Sequence, residues 1–282
     1  MSLTDLEIRI WEESAPHWTR NAERIARMTA PATDGLLRRL QPAPGQRLLD
    51  IAAGAGDPSL RLAELVGPAG HVLATDGSAG MLAALEQRAR SLGLSNISTR
   101  VAAAERLELA SASFDSACSR FGVMFFGDPV RALANVRSAV RPGGRLVLVA
   151  WGARERNPYF TLAALVLDEL GTPDQLAPGQ HTVFEFEEPG RLARVCAEAG
   201  WSDVHEDREH VHLDLPDTAP EGLLDMLVDL SRRIADRVST LSAERHELAR
   251  RETARRAAAL VTGTSIRFPA EILFVTARAP RP

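Results

Sequence analysis

Lysine is missing from the 282-residue sequence, so all 33 basic side chains are arginine. Schiff-base chemistry and P-loop phosphate binding both need a lysine amine and are excluded. Cysteine is nearly missing: Cys118 and Cys196 stand alone, without a CxxC pair. Neither a disulfide framework nor a structural zinc centre is therefore expected, no metal site is expected, and a reduced cytoplasmic setting is. No apolar run reaches the ~18–20 residues that cross a bilayer. The first residues, MSLTDLEIRIWEE, are acidic and amphipathic and lack the basic head and apolar centre of a secretory leader. A net charge of −4 provides no bulk attraction to nucleic acid or to an anionic membrane.

What is present is a rhythm. Residues 4–29 carry Leu6, Ile10, Trp11, Trp18, Ile25 and Met28 at helical spacing, interrupted by Pro16, which predicts two helices or a kinked one. Residues 34–40 predict a short helix, and Pro42, Pro44 and Gly45 a turn. From Arg47 to Trp151, short apolar runs (RLLDI, HVLATD, ISTRVA, FDSACSRFG, RLVLVAW) alternate with helical ones. Strands alternating with helices predict a mostly parallel sheet covered on both faces. After Trp151 the rhythm breaks. A helix at 160–170, a Pro/Gly-rich loop, a helix in PGRLARVCAEAG, a strand over 201–215 and a final strand in ILFVTARA surround a strongly helical stretch at 220–260. That stretch has one apolar stripe: Leu223, Leu227, Leu230, Ile234, Val238 and Leu241.

The chemistry concentrates where the rhythm begins. LLDIAAGAG ends a strand in Asp50 and continues in residues with almost no side chain, which lets a ligand approach the backbone and the positive end of a helix. Asp76 closes the next strand, 20 positions after Gly56, where a carboxylate can accept both hydroxyls of a ribose. The third glycine of a dinucleotide fingerprint is replaced by Ser59, and Asp57 would sit badly beside a pyrophosphate. Asp50 would hold a cationic group, directly or through water. A ligand with a ribose, an amine and no phosphate fits these residues better than a dinucleotide does.

With these residues in view, LLDIAAGAG resembles the first motif of class I S-adenosylmethionine-dependent methyltransferases, and VLATDGSAGML the second. NISTRVAAAERLELASASFDSACSRFGVMFF and RALANVRSAVRPGGRLVLVAWG are similar to the family's third to fifth strands. The resemblance covers about residues 45–152, with the ubiquinone/menaquinone-biosynthesis branch closest in flavour. It implies an α/β fold: a Rossmann-like, seven-stranded, mostly parallel sheet with helices on both faces and helical lid insertions. Carried over, Asp50 and the backbone of Ala52, Ala53, Gly54 and Gly56 would face the methionine part of the cofactor. Asp76, with Gly77, would hold the ribose, and Met81 would pack near the adenine. Ala104 and Glu105 would flank the adenine edge, and Ser119 and Arg120 would lie beside the sulfonium. Two departures stand out. The family's first glycine is Ala52, tolerable if its backbone angles are ordinary, and the acid that often contacts the adenine amino group is Ala103.

The expected organisation is an N-terminal helical cap over residues 1–44, then a methyltransferase core over 45–282 with lid insertions at about 153–190 and 216–262. His17, His181 and Tyr159 lie in segments expected to cap the strand ends and are the candidate bases; histidine is suited to take a proton near neutral pH. The expected activity is methyl transfer from S-adenosylmethionine to O, N or C of a small apolar or aromatic acceptor. A nicotinamide-dependent oxidoreductase and a non-catalytic S-adenosylmethionine-binding protein of the same fold are the alternatives. Arginines at 232–256 are interleaved with acids, as on a solvated helix face, or form a pocket for a substrate anion. A homodimer would use the apolar stripes of the N-terminal and 223–241 helices. Neither nucleic acid nor a membrane is an expected partner.

Overall fold

A computed structural model describes residues 2–174 and 181–281. Helices α1 (Leu3–Met28) and α2 (Ala30–Leu40) precede the sheet. Pro16 lies inside α1, so the break read there does not divide it. An interior proline costs about 3 kcal/mol, which burial of Ala15, Ala22, Ile25 and Met28 along α1 offsets.

The alternating region folds as its pattern demands. Strand β1 (Arg47–Ile51) leads to α3 (Ser59–Val66), β2 (His71–Asp76), α4 (Ala79–Ser91), β3 (Ile97–Val101), β4 (Phe114–Arg120), α5 (Pro129–Ala139) and β5 (Val140–Trp151). Local chemistry marks the helix starts. The Ser78 hydroxyl accepts from the Met81 N–H at 3.1 Å, and Asp128 accepts from the Arg131 N–H at 2.9 Å with Pro129 following it. Beyond β5 come α6 (Pro158–Glu169), α7 (Arg191–Glu198) and the long strand β6 (Ser202–Pro216). The 220–260 stretch is three helices rather than one run: α8 (Leu223–Leu230), α9 (Arg232–Ser239) and α10 (Ala243–Ala258). Ser231 and Ser242 cap the second and third.

The chain closes with β7 (Val261–Thr262) and β8 (Ser265–Arg278). Among the described residues the sheet runs β3-β2-β1-β4-β5-β8-β6, with β7 paired to β8. The seven expected strands are thus joined by a two-residue eighth, formed because Gly263, at φ +60°, turns the chain back tightly. The first five strands pair in parallel, and β8 lies antiparallel between β5 and β6. Leu48, Leu49 and Ile51 of β1 are sealed, as the centre of a sheet covered on both sides requires. The pairing Ile51↔Thr75 puts the end of β1 beside the end of β2, where the small-residue loop and Asp76 meet.

Candidate functional site

A cavity of about 700 Å³ opens at the carboxyl ends of the parallel strands, where open α/β sheets place their ligands. Its floor is the loop Ala52–Asp57. Gly54 and Gly56 have φ of +55° and +112°. Ala52 also has φ +55°, so the ordinary backbone expected for its methyl group is not what the fold imposes. The methyl is accommodated by an absence opposite it: a Cβ on Gly122 would lie 2.3 Å from that of Ala52.

Asp76 stands at the cavity wall. Its Oδ2 accepts from the Gly54 N–H at 2.9 Å and its Oδ1 from the Ser78 N–H at 2.8 Å. Burial pushes its carboxyl above the ordinary range, and these backbone donors pull the other way. Gly77 and the buried Met81 line the same wall. Helix α1 crosses above them. A Cβ on Gly77 would come 2.6 Å from Ile8, and Glu12 accepts from the Ser78 hydroxyl at 2.6 Å and the Gly80 N–H at 3.0 Å. Ala103, Ala104 and Glu105 complete this end. Glu105 already accepts from the Gly127 N–H at 2.7 Å and the Thr4 hydroxyl at 3.1 Å.

Asp50 departs from expectation. Its carboxylate is fully buried, does not line the cavity, and accepts from the Ser59 hydroxyl at 2.5 Å beside the Cys118 thiol at 3.6 Å. It lies behind the loop, so a direct grip on a ligand amine is ruled out. Burial raises its pKa to about 7, against the Ser59 hydrogen bond and the Arg120 charge. Within the loop itself, the acid that lines the cavity is Asp57. It pairs with Arg120 at 3.0 Å and accepts from Thr33 at 3.0 Å. Arg120 also donates to Thr29 and, at 3.2 Å, to Thr33. Among the described residues, Asp57 Oδ1 and Arg120 Nε are buried without a partner. Ser119 is sealed beneath, its hydroxyl likewise unpartnered, and does not line the cavity.

The opposite end is aromatic. Phe121 stacks on Trp151 at 4.0 Å, Phe160 meets Trp151 edge-on at 4.9 Å, and Trp11 meets Phe125 at 5.0 Å. Tyr159 joins this wall, and burial raises its phenol, which disfavours it as a base. His181 lines the cavity. His17 does not: it binds Asp229 and ties α1 to α8 on a half-exposed surface. Of the 223–241 stripe offered to a dimer, Leu223, Leu227, Ile234 and Val238 are buried within the chain, and Trp18 of the N-terminal stripe donates to the Leu230 carbonyl at 3.3 Å. The arginines of 232–256 largely pair with acids; Arg232, Arg237 and Arg256 reach Asp236, Asp168 and Glu169.

Asp57, Glu12 and Glu7 are the cavity-wall or covering acids whose roles sequence reading missed. For Asp57 the signal was present: a carboxylate inside a loop of otherwise small residues. Among the described residues no group of His, Cys, Asp and Glu has metal-binding geometry, and no helix is long and apolar enough to cross a membrane.

Comparison with known proteins gives concordant results. Residues 33–171 match the ubiE/COQ5 methyltransferase family. Demethylmenaquinone methyltransferase of Geobacillus kaustophilus is 29% identical over 208 residues, covering 70% of this chain and 88% of the relative. Demethylmenaquinone methyltransferase of Renibacterium salmoninarum is 31% identical over 171 residues, covering 57% and 68%. Among solved structures, the YcgJ protein of Bacillus subtilis superposes with a TM-score of 0.57 at 16% identity, covering 90% of this chain and all of that one, a likeness of fold.

Proposed function

The chain belongs to the ubiE/COQ5 methyltransferase family, and from that premise we propose how its cavity divides and what it methylates. It is an S-adenosylmethionine-dependent methyltransferase acting on a small molecule. In our reading the acceptor is aromatic and receives the methyl group on a ring carbon, as a naphthoquinol would; the relatives named as demethylmenaquinone methyltransferases support that choice. The observation that carries the cofactor assignment is the pair of buried, unpartnered atoms of opposite charge beside the glycine loop, Asp57 Oδ1 and Arg120 Nε. An amino-acid tail brings one ammonium and one carboxylate, and so satisfies both.

When bound, S-adenosylmethionine supplies a methyl group on a sulfonium whose leaving group is a neutral thioether. The protein therefore needs no covalent nucleophile. Asp76 would hold the ribose hydroxyls, Met81 and Ala104 would pack against the adenine, and Asp57 and Arg120 would hold the tail. Asp50 would act from behind the loop by fixing Ser59 at the start of α3. The Phe121–Trp151 stack would orient a planar acceptor, and α1 with α8 and α9 would exclude water. Orientation and desolvation are the main levers for such a transfer. We take residues 1–44 as the cap and the 153–190 and 216–262 insertions as the roof, and place the reaction in the cytoplasm, where the free thiols of Cys118 and Cys196 stay reduced.

Calorimetric titration with S-adenosylhomocysteine and with NADH tests the assignment. Binding of the first alone is expected, weakened at least tenfold by Asp76→Ala and by Asp57→Asn. Binding of NADH instead, or S-adenosylhomocysteine affinity indifferent to both substitutions, would refute it.

A further inference from the structure

One cluster in the cavity is not used by cofactor binding. Glu7, on α1, is a carboxylate only 5% exposed. Burial pushes its carboxyl up, against the pull of His181 and Arg233. His181 is almost as well covered, its side chain 12% exposed, and its Nδ1 lies 3.5 Å from the Glu185 carboxylate. Its other ring nitrogen, Nε2, is buried and has no partner among the described residues. Both Glu7 and His181 line the cavity. The Glu185 carboxylate stands on the Nδ1 side of the ring, which leaves Nε2 as the nitrogen open to a ligand's proton. The other charges around the ring are accounted for. Arg233 of α9 is tied to Asp174, and Arg191 of α7 binds Glu185 from outside. Two carboxylates and one neutralised guanidinium thus surround the ring.

We propose that His181 is the base that takes the hydroxyl proton of the phenolic acceptor, its imidazolium supported by the Glu185 and Glu7 carboxylates. This rests on the methyltransferase reading above. Loss of the hydroxyl proton to Nε2 leaves a phenolate whose electron density reaches the ring carbon. That carbon's electron pair forms the new C–CH3 bond while the C–S bond breaks, its pair remaining on sulfur. The hydrogen of the substituted ring carbon then leaves as a proton and aromaticity returns. The imidazolium gives its proton back to the phenolate oxygen, so one proton is released per methyl transferred.

Two probes suffice. The first is 1,4-dihydroxynaphthalene as acceptor, with 1,4-dimethoxynaphthalene as the counterpart that has no hydroxyl proton. The wild type is expected to methylate only the hydroxylated ring, with kcat rising with pH through one ionisation. His181→Gln is expected to lose at least a hundredfold in kcat and the ionisation, with KM changed less than threefold and S-adenosylhomocysteine binding intact. Glu185→Gln keeps part of the rate but moves the ionisation to lower pH, because the imidazolium has lost its carboxylate. The second probe needs no turnover: 4-nitrocatechol, bound together with S-adenosylhomocysteine, is expected to show the phenolate absorbance at lower pH with wild type than with His181→Gln. The proposal is overturned if His181→Gln keeps rate and ionisation, if it loses KM and thermal stability with the pH profile unchanged (the signature of a tether), or if the wild type neither methylates the first probe nor shifts the second. Failure of the wild type to bind S-adenosylhomocysteine would instead overturn the cofactor reading, so the two failures are distinct.

Discussion

Ala52 occupies a left-handed backbone position, φ +55°, that costs a residue with a Cβ about 1–2 kcal/mol. Ala52→Gly is expected to raise stability by about 0.5–1 kcal/mol, the strain relieved less the added freedom of the unfolded chain, read as the urea midpoint. Gly122→Ala is expected to cost about 1–3 kcal/mol by overpacking, and less in the Ala52→Gly background, since the added carbon would lie 2.3 Å from the Ala52 Cβ. Equal costs in both backgrounds would show that this contact is not the cause. The substitution of glycine by alanine was legible in the sequence; the dihedral angle that makes it costly was not. Asp50 teaches the same lesson. Its place at the end of β1 was legible, but the partners that turn its carboxylate inward, Ser59 and Cys118, come from α3 and β4. With its pKa raised from 3.8 to about 7, the folded protein holds that proton more tightly than the unfolded chain. Its contribution to stability is present below pH 3.8 and is lost as pH rises to about 7. Asp50→Asn keeps an acceptor for Ser59 and cannot ionise. Its stability should fall less between pH 4 and 7 than that of wild type, by denaturant titration at several pH values.

Helix α1 acts as an element because it is latched at its middle. Glu12 caps the start of α4 through Ser78 and Gly80, beside Asp76. Those hydrogen bonds, Ser78 first, hold its carboxyl below the ordinary range. The latch is therefore intact above pH 4.5 and weakens as pH falls through the depressed value. Glu12→Ala is expected to leave the fold intact and speed S-adenosylhomocysteine release several-fold. Stopped-flow tryptophan fluorescence reads this, Trp11 being on α1 and in contact with Phe125. An unchanged release rate would mean that α1 does not gate the site. The helical character of residues 4–29 was plain from periodicity. That the helix would lie on Gly77, whose missing side chain admits Ile8, was not, because it depends on a contact between distant segments. The three-way division of 220–260 was legible in principle: Ser231 and Ser242 are ordinary capping residues.

For the molecule as a whole, the five parallel strands and their helices were readable because each carries its own apolar period and stop signal. The cavity roof was not, because the inserts show amphipathic stripes without saying which stripe meets which; Glu7 and His181 come together only after folding. If the roof and the cofactor floor act as one closed unit, S-adenosylhomocysteine should slow amide exchange in α1 as well as in the loop at 52–57, measured by mass spectrometry. Protection confined to the loop would separate cap from core. The 216–262 part of the roof also has a simple attachment. Pro216 of β6 pairs with Ser265 of β8, so the chain leaves the β6–β8 ladder and returns to it at a single rung. The segment between those partners is a cartridge set into that rung and strapped to α1 through Asp229 and Leu230, so exchanging it should change which molecule is methylated without touching the glycine loop.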